Sequence, residues 1–239
     1  MTKTVRYRQY SGFDFSQQQE ITMTNQSPIL YHAPQSRSLS ALILLKELNI
    51  EFDLQVLSMH KKENLRPEFL AVNPLGKVPT LKHRGAIVTE QVAIYLYLTD
   101  LYSMGELAPK IDDPLRGPYV RWLTFYSGCF EPALCDKGQQ RDPGPRNMSP
   151  YGEFDAVINT VQAQLEKGPY LLGDRFTAAD LLWGTVLWWC TAFSLVESTP
   201  AIKRYIERIV HRPSFIAANK IDAELVSEQE AEQEPTVSA

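Results

Sequence analysis

Cysteine is scarce in this chain of 239 residues, which contains three: Cys129, Cys135 and Cys190. None stands in a C-x-x-C pair, and the odd number fits a reduced protein better than a disulfide framework. The four histidine residues show no spacing typical of metal ligands. We therefore expect a cytoplasmic protein that holds no metal.

Long apolar runs are absent as well. The longest candidate, residues 181–195, is interrupted by Trp, Gly and Thr and is shorter than the roughly 18 residues that a membrane helix needs. The basic residues Lys3, Arg6 and Arg8 are followed by no apolar core, so they do not form a secretory signal. A formal net charge of -4 argues against nucleic acid as the main partner. Neither a membrane nor a nucleic acid is expected to bind this chain.

Residues 28–100 alternate between strand-like and helix-like patterns. A short apolar run at 29–31 precedes helical spacing from Leu39 to Leu48, and residues 52–56 alternate as a strand does. A further helical segment, a hairpin over 78–88 and a helix that begins at Thr89 complete the region. Because a strand–helix–strand unit places its strands in parallel and a hairpin places them antiparallel, we predict a mixed sheet.

From residue 113 onward the pattern is helical, over 115–134, 150–166, 177–193 and 200–210. The segment F-T-A-A-D at 176–180 predicts a capping box in which Asp180 reaches back to the amide of Thr177. We predict a flexible leader at 1–26, in which Met23 is an alternative start, and an α/β domain at 27–102. An all-helical domain at 113–219 and a disordered acidic tail at 220–239 follow.

Four segments of the chain together resemble one protein family. They are Y-H-A-P-Q-S-R-S at 31–38, V-N-P-L-G-K-V-P-T-L at 72–81, T-E-Q-V-A-I at 89–94 and Y-L-L-G-D-R-F-T-A-A-D-L-L-W-G at 170–184. Their order and spacing resemble those of bacterial-type cytosolic glutathione transferases. The resemblance implies a thioredoxin-like domain followed by a helical-bundle domain, glutathione as co-substrate, and a homodimer.

The resemblance also implies which residues bind glutathione. Pro79 stands at the first residue of an apolar run, where strands tolerate proline. In the family the corresponding Val78–Pro79 bond is cis, and the backbone before it pairs with the cysteinyl part of glutathione. Glu90 would meet the ammonium of the γ-glutamyl group, Gln91 its carboxylate and Lys77 another carboxylate. The family usually has Ser at the place of Gln91, so this chain keeps the backbone N–H there but not the hydroxyl.

A thiol is mostly protonated at neutral pH, so the site needs a hydroxyl or a positive dipole beside the sulfur. Resemblance to the serine-type members of the family implies that Ser36 is the catalytic residue. Alignment to other classes moves this position to Gln35 or Arg37, and Tyr31 is the candidate by resemblance to the tyrosine-type members. A plain helix cap is the alternative role of Ser36.

Trp122, Tyr126 and Cys129 recur at helical spacing and are predicted to line a pocket for the second substrate, with core packing as the alternative. The predicted function is conjugation of the glutathione thiolate to small electrophilic compounds. Two alternatives remain open. One is glutathione-dependent reduction of disulfides or peroxides, and the other is a non-catalytic binding or regulatory protein of the same fold.

Overall fold

The computed structural model describes residues 27–103 and 105–232. They divide into two compact units, one within Met1–Ile94 and Ile216–Ala239 (unit 1) and the other within Tyr95–Phe215 (unit 2). The predicted leader, residues 1–26, lies outside the described residues and stays a prediction. In the part of the chain that the structure describes, no helix is both long and apolar enough to cross a membrane.

Unit 1 is built on a mixed four-stranded sheet. Its strands are β1 (Ile29–His32), β2 (Asp53–Val56), β3 (Thr80–His83) and β4 (Ala86–Val88). They lie in the order β2-β1-β3-β4. Strand β1 is parallel to β2 and antiparallel to β3, and β4 is antiparallel to β3. The predicted combination of a parallel pair with an antiparallel hairpin is confirmed.

Helix α1 (Ser38–Glu47) connects β1 to β2, and every residue from Ser38 to Leu45 is buried. A short 3-10 turn (Glu63–Leu65) and α2 (Pro67–Leu70) precede β3, and α3 (Gln91–Tyr102) follows β4. Because the first turns of α1 are buried, the chain has to pass from the end of β1 into the core again within a few residues. Residues 33–37 therefore form a short loop whose two ends are both held in the core.

The turn before β3 is held by side-chain hydrogen bonds. Asn73 is 3% exposed. Its Nδ2 donates to the carbonyl of Lys77 at 2.9 Å and to Oγ1 of Thr80 at 3.0 Å. Thr80 Oγ1 donates to the same Lys77 carbonyl at 2.9 Å. The Val78–Pro79 bond is cis, as the resemblance implies. These contacts place the backbone of Val78 two residues before Thr80, the first paired residue of β3.

Unit 2 is helical, as predicted. Helix α4 (Arg116–Phe125) continues through a π-helical turn (Tyr126–Phe130) into α5 (Glu131–Gly138), so the predicted helix over 115–134 is one run interrupted by that turn. Helices α6 (Phe154–Leu165), α7 (Ala178–Ala192) and α8 (Pro200–Val210) belong to the same unit, as does α3 from Tyr95 onward. The fully buried Trp183 lies at its centre.

The prediction of a disordered tail from residue 220 is wrong for residues 220–231, because these form the end of helix α9 (Pro213–Ala231). Its buried positions repeat at helical spacing and are Ser214, Phe215, Ala218, Ile221 and Asp222. The acids Glu224, Glu228 and Glu230 lie on the exposed face. An amphipathic stripe thus stabilises a segment whose acidic composition is typical of a solvated tail. Residues 233–239 lie outside the described residues.

The capping box at the start of α7 is confirmed. The carboxylate of Asp180 accepts the N–H of Thr177 and the N–H of Leu171, each at 2.8 Å. It also accepts the hydroxyl of Tyr205 at 2.9 Å and the hydroxyl of Thr177 at 3.0 Å. Burial raises the pKa of Asp180 to about 6, against the lowering effect of these hydrogen bonds. One carboxylate therefore joins α7 to α8 and to the segment before α7.

Asp180→Asn is expected to lower the free energy of unfolding by about 2–4 kcal/mol, because an amide has one acceptor oxygen for four donors and leaves buried donors unpaired. Urea denaturation followed by circular dichroism measures the change. The exposed neighbour gives the control, since Asp174→Asn is expected to change stability by under about 0.5 kcal/mol. Equal stability of the two variants would contradict the role of Asp180.

The pKa of Asp180 also predicts a pH dependence. An acid whose pKa is raised in the folded state binds more protons folded than unfolded, so its contribution to stability falls as the pH rises from about 4 to about 6. The difference in stability between the wild type and Asp180→Asn should therefore be larger at pH 4 than at pH 7, by about 1–3 kcal/mol. If this difference in stability grew as the pH rose, the lowering effect of the hydrogen-bond donors on the pKa of Asp180 would have to exceed the raising effect of burial.

Helices α7 and α8 approach closely at Gly184. A Cβ atom added there would lie 2.3 Å from Cγ1 of Ile209, well inside van der Waals contact. Gly184→Ala is therefore expected to lower the free energy of unfolding by about 1–3 kcal/mol or more. Gly117, in α4, has no atom within 4 Å of the same added carbon, so Gly117→Ala is the matched control and should be neutral or stabilising. A thermal melt of both variants tests this, and an unchanged Gly184→Ala protein would contradict it.

Candidate functional site

The carboxyl end of β1 lies beside the turn that precedes β3. Tyr31 is the partner of Thr80 in the antiparallel ladder. Continuing that register by two residues brings His32, the last residue of β1, alongside Pro79, and Ala33 alongside Val78. The loop at 33–37 and the cis turn therefore occupy the same end of the sheet.

The start of α3 is tied to the start of α1. The side-chain Nε2 of Gln91 donates to the carbonyl of Arg37 at 3.3 Å and also to Oγ of Ser40. Glu90, just before it, is exposed and has a left-handed backbone with φ of 64°. Non-glycine residues adopt this conformation infrequently. Ser36, Val78 and Glu90 therefore lie on three segments that converge at one end of the sheet.

Ser36 is half-buried at the entrance to α1. Its Oγ donates to the carbonyl of Ala33 at 2.7 Å and lies 2.7 Å from Oγ of Ser38. It also accepts the N–H of Ser38, the first residue of α1, at 3.2 Å. Ser36 thus stands one residue before Arg37, the N-cap residue of α1, which has no side-chain cap, and it retains some exposed surface.

The other predicted glutathione contacts differ in their exposure. Lys77 is exposed, Val78 is half-buried and Pro79 is buried. Tyr31 is 7% exposed, and its ring centroid lies 5.3 Å from that of Phe69. Burial raises the pKa of the Tyr31 hydroxyl. These features favour a packing role for Tyr31 over thiol activation.

Behind Ser36 lie His32, Ser38 and Asp222, which the sequence analysis did not select as site residues. His32 is fully buried, and its Nδ1 lies 2.7 Å from Oγ of Ser38. Its Nε2 lies 3.1 Å from Oδ1 of Asp222, close enough for charge attraction but without hydrogen-bond geometry. The carboxylate of Asp222 accepts the N–H of Gln35 at 3.1 and 3.3 Å. The helical spacing of apolar residues in 213–221 is the signal that would have placed Asp222 in a buried helix.

In unit 2, Trp122 and Tyr126 are 3% and 2% exposed. Their rings pack edge-on against Trp183, at centroid distances of 5.8 and 5.9 Å. Both lie in the core, the alternative that their spacing leaves open. Cys129 is half-buried, with its Sγ 3.8 Å from the carbonyl of Pro150. Among the described residues, no group of three or more His, Cys, Asp or Glu side chains is placed to hold a metal ion.

Known protein families match this chain in two separate segments, one in its N-terminal part and one in its helical part. The family model for the N-terminal domain of glutathione S-transferases matches residues 27–100, and the model for the C-terminal domain matches residues 151–213. Glutathione S-transferase GstA of Escherichia coli O157:H7 is 29% identical over 77% of this chain and 93% of its own. The disulfide-bond oxidoreductase YfcG of Escherichia coli is 26% identical over 77% of this chain and 91% of its own.

A solved structure agrees with these matches. The crystal structure of a glutathione transferase from Methylococcus capsulatus is 32% identical in sequence and superposes with a TM-score of 0.71, over 82% of this chain and 99% of that one. Two family models in the expected order and a relative of this identity support the same assignment. The chain belongs to the glutathione transferase family of enzymes.

Proposed function

We propose that this glutathione transferase activates its co-substrate through the Ser36 hydroxyl. The observation that carries the proposal is the position of Ser36, half-buried and hydrogen-bonded at the first turn of α1. The amino end of a helix favours an anion, and no acidic residue stands in the first turn of α1 to oppose this. A thiolate sulfur at this place would receive both the hydroxyl hydrogen bond and the helix dipole.

In the proposed reaction no covalent bond of the protein forms or breaks. The glutathione thiol gives its proton to solvent, and the Ser36 hydroxyl keeps its hydrogen and donates it to the thiolate as a hydrogen bond. The sulfur lone pair then forms a bond to an electrophilic carbon. The electron pair of the broken bond leaves with a leaving group or remains on an adjacent acceptor atom.

The remaining glutathione contacts are proposed from the three converging segments. The backbone of Val78, before Pro79, is assigned to the cysteinyl backbone, and Lys77 to a carboxylate. Glu90 is assigned to the γ-glutamyl ammonium, since its side chain is exposed beside the start of α3. The side chain of Gln91 is bonded to α1, so we assign its backbone N–H, not its amide, to the γ-glutamyl carboxylate.

The second substrate is proposed to be a small electrophile near the π-helical turn at Tyr126–Phe130, a kind of turn that frequently marks functional sites. We assign Trp122, Tyr126 and Cys129 to this second-substrate site. Trp122 and Tyr126 are buried and support the turn by packing beneath it, and Cys129 has exposed surface. We further propose that the enzyme is a cytoplasmic homodimer and that glutathione is its co-substrate with no metal.

Reduction of disulfides is the second candidate function, favoured by the similarity to the oxidoreductase YfcG. The same activated thiolate would attack a disulfide sulfur instead of carbon. Residues 31–38 contain no cysteine, so the glutathione thiol itself would have to be the nucleophile. Assays with an aryl halide and with a glutathione mixed disulfide separate the two activities.

Ser36→Ala is expected to abolish the ultraviolet thiolate band of bound glutathione at neutral pH and to lower kcat with an aryl halide by about 100-fold, the loss typical of one donor to a developing anion. Ser227→Ala, on the exposed surface of α9, is the control and should change neither. A thiolate band that persists in Ser36→Ala would refute the assignment of Ser36.

Glu90→Gln is expected to raise KM for glutathione about tenfold with kcat unchanged, because the variant loses a charge that contacts the ammonium in ground state and transition state alike. Glu68→Gln removes an exposed acid from α2 of the same unit and should leave KM unchanged. Calorimetric titration of glutathione into both variants measures the Kd for glutathione directly. Equal affinities would remove Glu90 from the proposed site.

A further inference from the structure

A continuous row of polar groups runs from α9 to Ser36 through the interior of unit 1. It comprises the Asp222 carboxylate, the His32 ring, the Ser38 hydroxyl and the Ser36 hydroxyl, with successive distances of 3.1, 2.7 and 2.7 Å. Three of these residues are buried, and Ser36, at the end, is the member with more exposed surface. Buried polar rows of this kind are costly unless their members bond to one another, so the arrangement calls for a physical role.

We propose that Asp222, His32 and Ser38 are positioning residues that hold the Ser36 hydroxyl ready to donate to the glutathione sulfur. This inference rests on the proposed function, since it acts through Ser36. An Asp–His–Ser order also occurs in serine hydrolases, but Ser38 is fully buried and cannot itself meet a substrate. The hydroxyl that can reach a ligand is that of Ser36.

The number of hydrogen atoms in the row decides which way Ser36 points. Each serine hydroxyl has one hydrogen to donate. The Ser38 oxygen already accepts the N–H of Ala33 at 3.1 Å. Ser36 donates its hydrogen to the carbonyl of Ala33 at 2.7 Å, and the Ser38 hydroxyl lies 3.2 Å from the same carbonyl. If Nδ1 of His32 donates to Ser38, the Ser38 hydrogen can pair with that carbonyl, and the Ser36 hydrogen is released for the sulfur. If Nδ1 accepts instead, the ring holds the Ser38 hydrogen, and the Ser36 hydrogen stays on the Ala33 carbonyl until the sulfur competes for it.

Asp222 acts on the other side of the ring. A carboxylate accepts and does not donate hydrogen bonds, and its Oδ1 lies 3.1 Å from Nε2, so Asp222 holds the ring from the side opposite Ser38. His32 is thus held between Asp222 and Ser38, and this fixes the position of the Ser38 hydroxyl against that of Ser36. The same carboxylate accepts the N–H of Gln35, which has a left-handed backbone, and thereby fixes the loop that carries Ser36.

The smallest change that interrupts the row is Ser38→Ala. We expect it to lower both the thiolate band of bound glutathione and kcat about tenfold, with the Kd for glutathione changed less than about threefold. Ser38→Thr keeps the hydroxyl and should restore most of the thiolate. A merely structural role would alter stability or Kd and would not single out the ionisation of the sulfur.

Two substitutions of His32 test the direction of the row. Asparagine places its polar end near the position of Nδ1, and glutamine places its polar end near that of Nε2. His32→Asn should therefore retain more bound thiolate than His32→Gln. Asp222→Ala should also lower the band several-fold, and Glu224→Ala, which removes an exposed acid two residues further along α9, should not. If the buried His32 variants do not fold, the Ser38 pair decides the matter.

All variants are compared in the full-length protein with glutathione as the probe, beside Ser36→Ala. Loss of the thiolate in Ser36→Ala together with loss in Ser38→Ala and Asp222→Ala supports the inference. Loss in Ser36→Ala alone, with Ser38→Ala and Asp222→Ala like the wild type, overturns the inference and leaves the proposed function intact. A thiolate that survives Ser36→Ala overturns the role of Ser36 and the inference with it.

Discussion

The pairing of strand β1 on both of its edges is the constraint on which the site depends. Strand β1 pairs in parallel with β2 and antiparallel with β3, and these two ladders together fix its register. The buried start of α1 fixes the loop that follows β1. A slip of one residue would turn every side chain of β1 to the opposite face of the sheet. Backbone pairing therefore positions the loop after β1 and the start of β3, and the side chains of Asn73 and Gln91 then fix the cis turn and the start of α3.

Buried carboxylates organise the ends of helices in both units. In unit 2, Asp180 gathers four donors at the start of α7. In unit 1, Asp222 of α9 bonds the amide of Gln35 and faces His32. Asp180 accepts donors from the segment before α7 and from α8, and Asp222 accepts a donor 187 residues away along the chain. Such groups stabilise one arrangement only, because loss of a partner leaves a buried charge or donor unpaired. This explains how a short loop on unit 1 can be held firmly enough to place a single hydroxyl.

Local patterns predicted the features that depend on neighbouring residues. The spacing of apolar residues indicated α1 and the helices of unit 2, the order of segments indicated the mixed sheet, and Thr177 with Asp180 indicated the cap of α7. Each of these is confirmed. The acidic tail was predicted wrongly because composition outweighed the weaker apolar stripe of α9. The role of Gln91 could not be predicted either, because its partners on α1 lie about 50 residues away.

The sequence by itself determined the family and the class of fold, since these are carried by contiguous motifs in a fixed order along the chain. Only the tertiary structure decided what surrounds Ser36. His32 and Ser38 lie close to it along the chain, but Asp222 reaches them from the opposite end of the sequence, 190 residues from His32. Contacts of that separation leave no local periodicity or motif. They arise because the part of helix α9 that belongs to unit 1 buries Ala218 and Ile221 and brings one carboxylate with it.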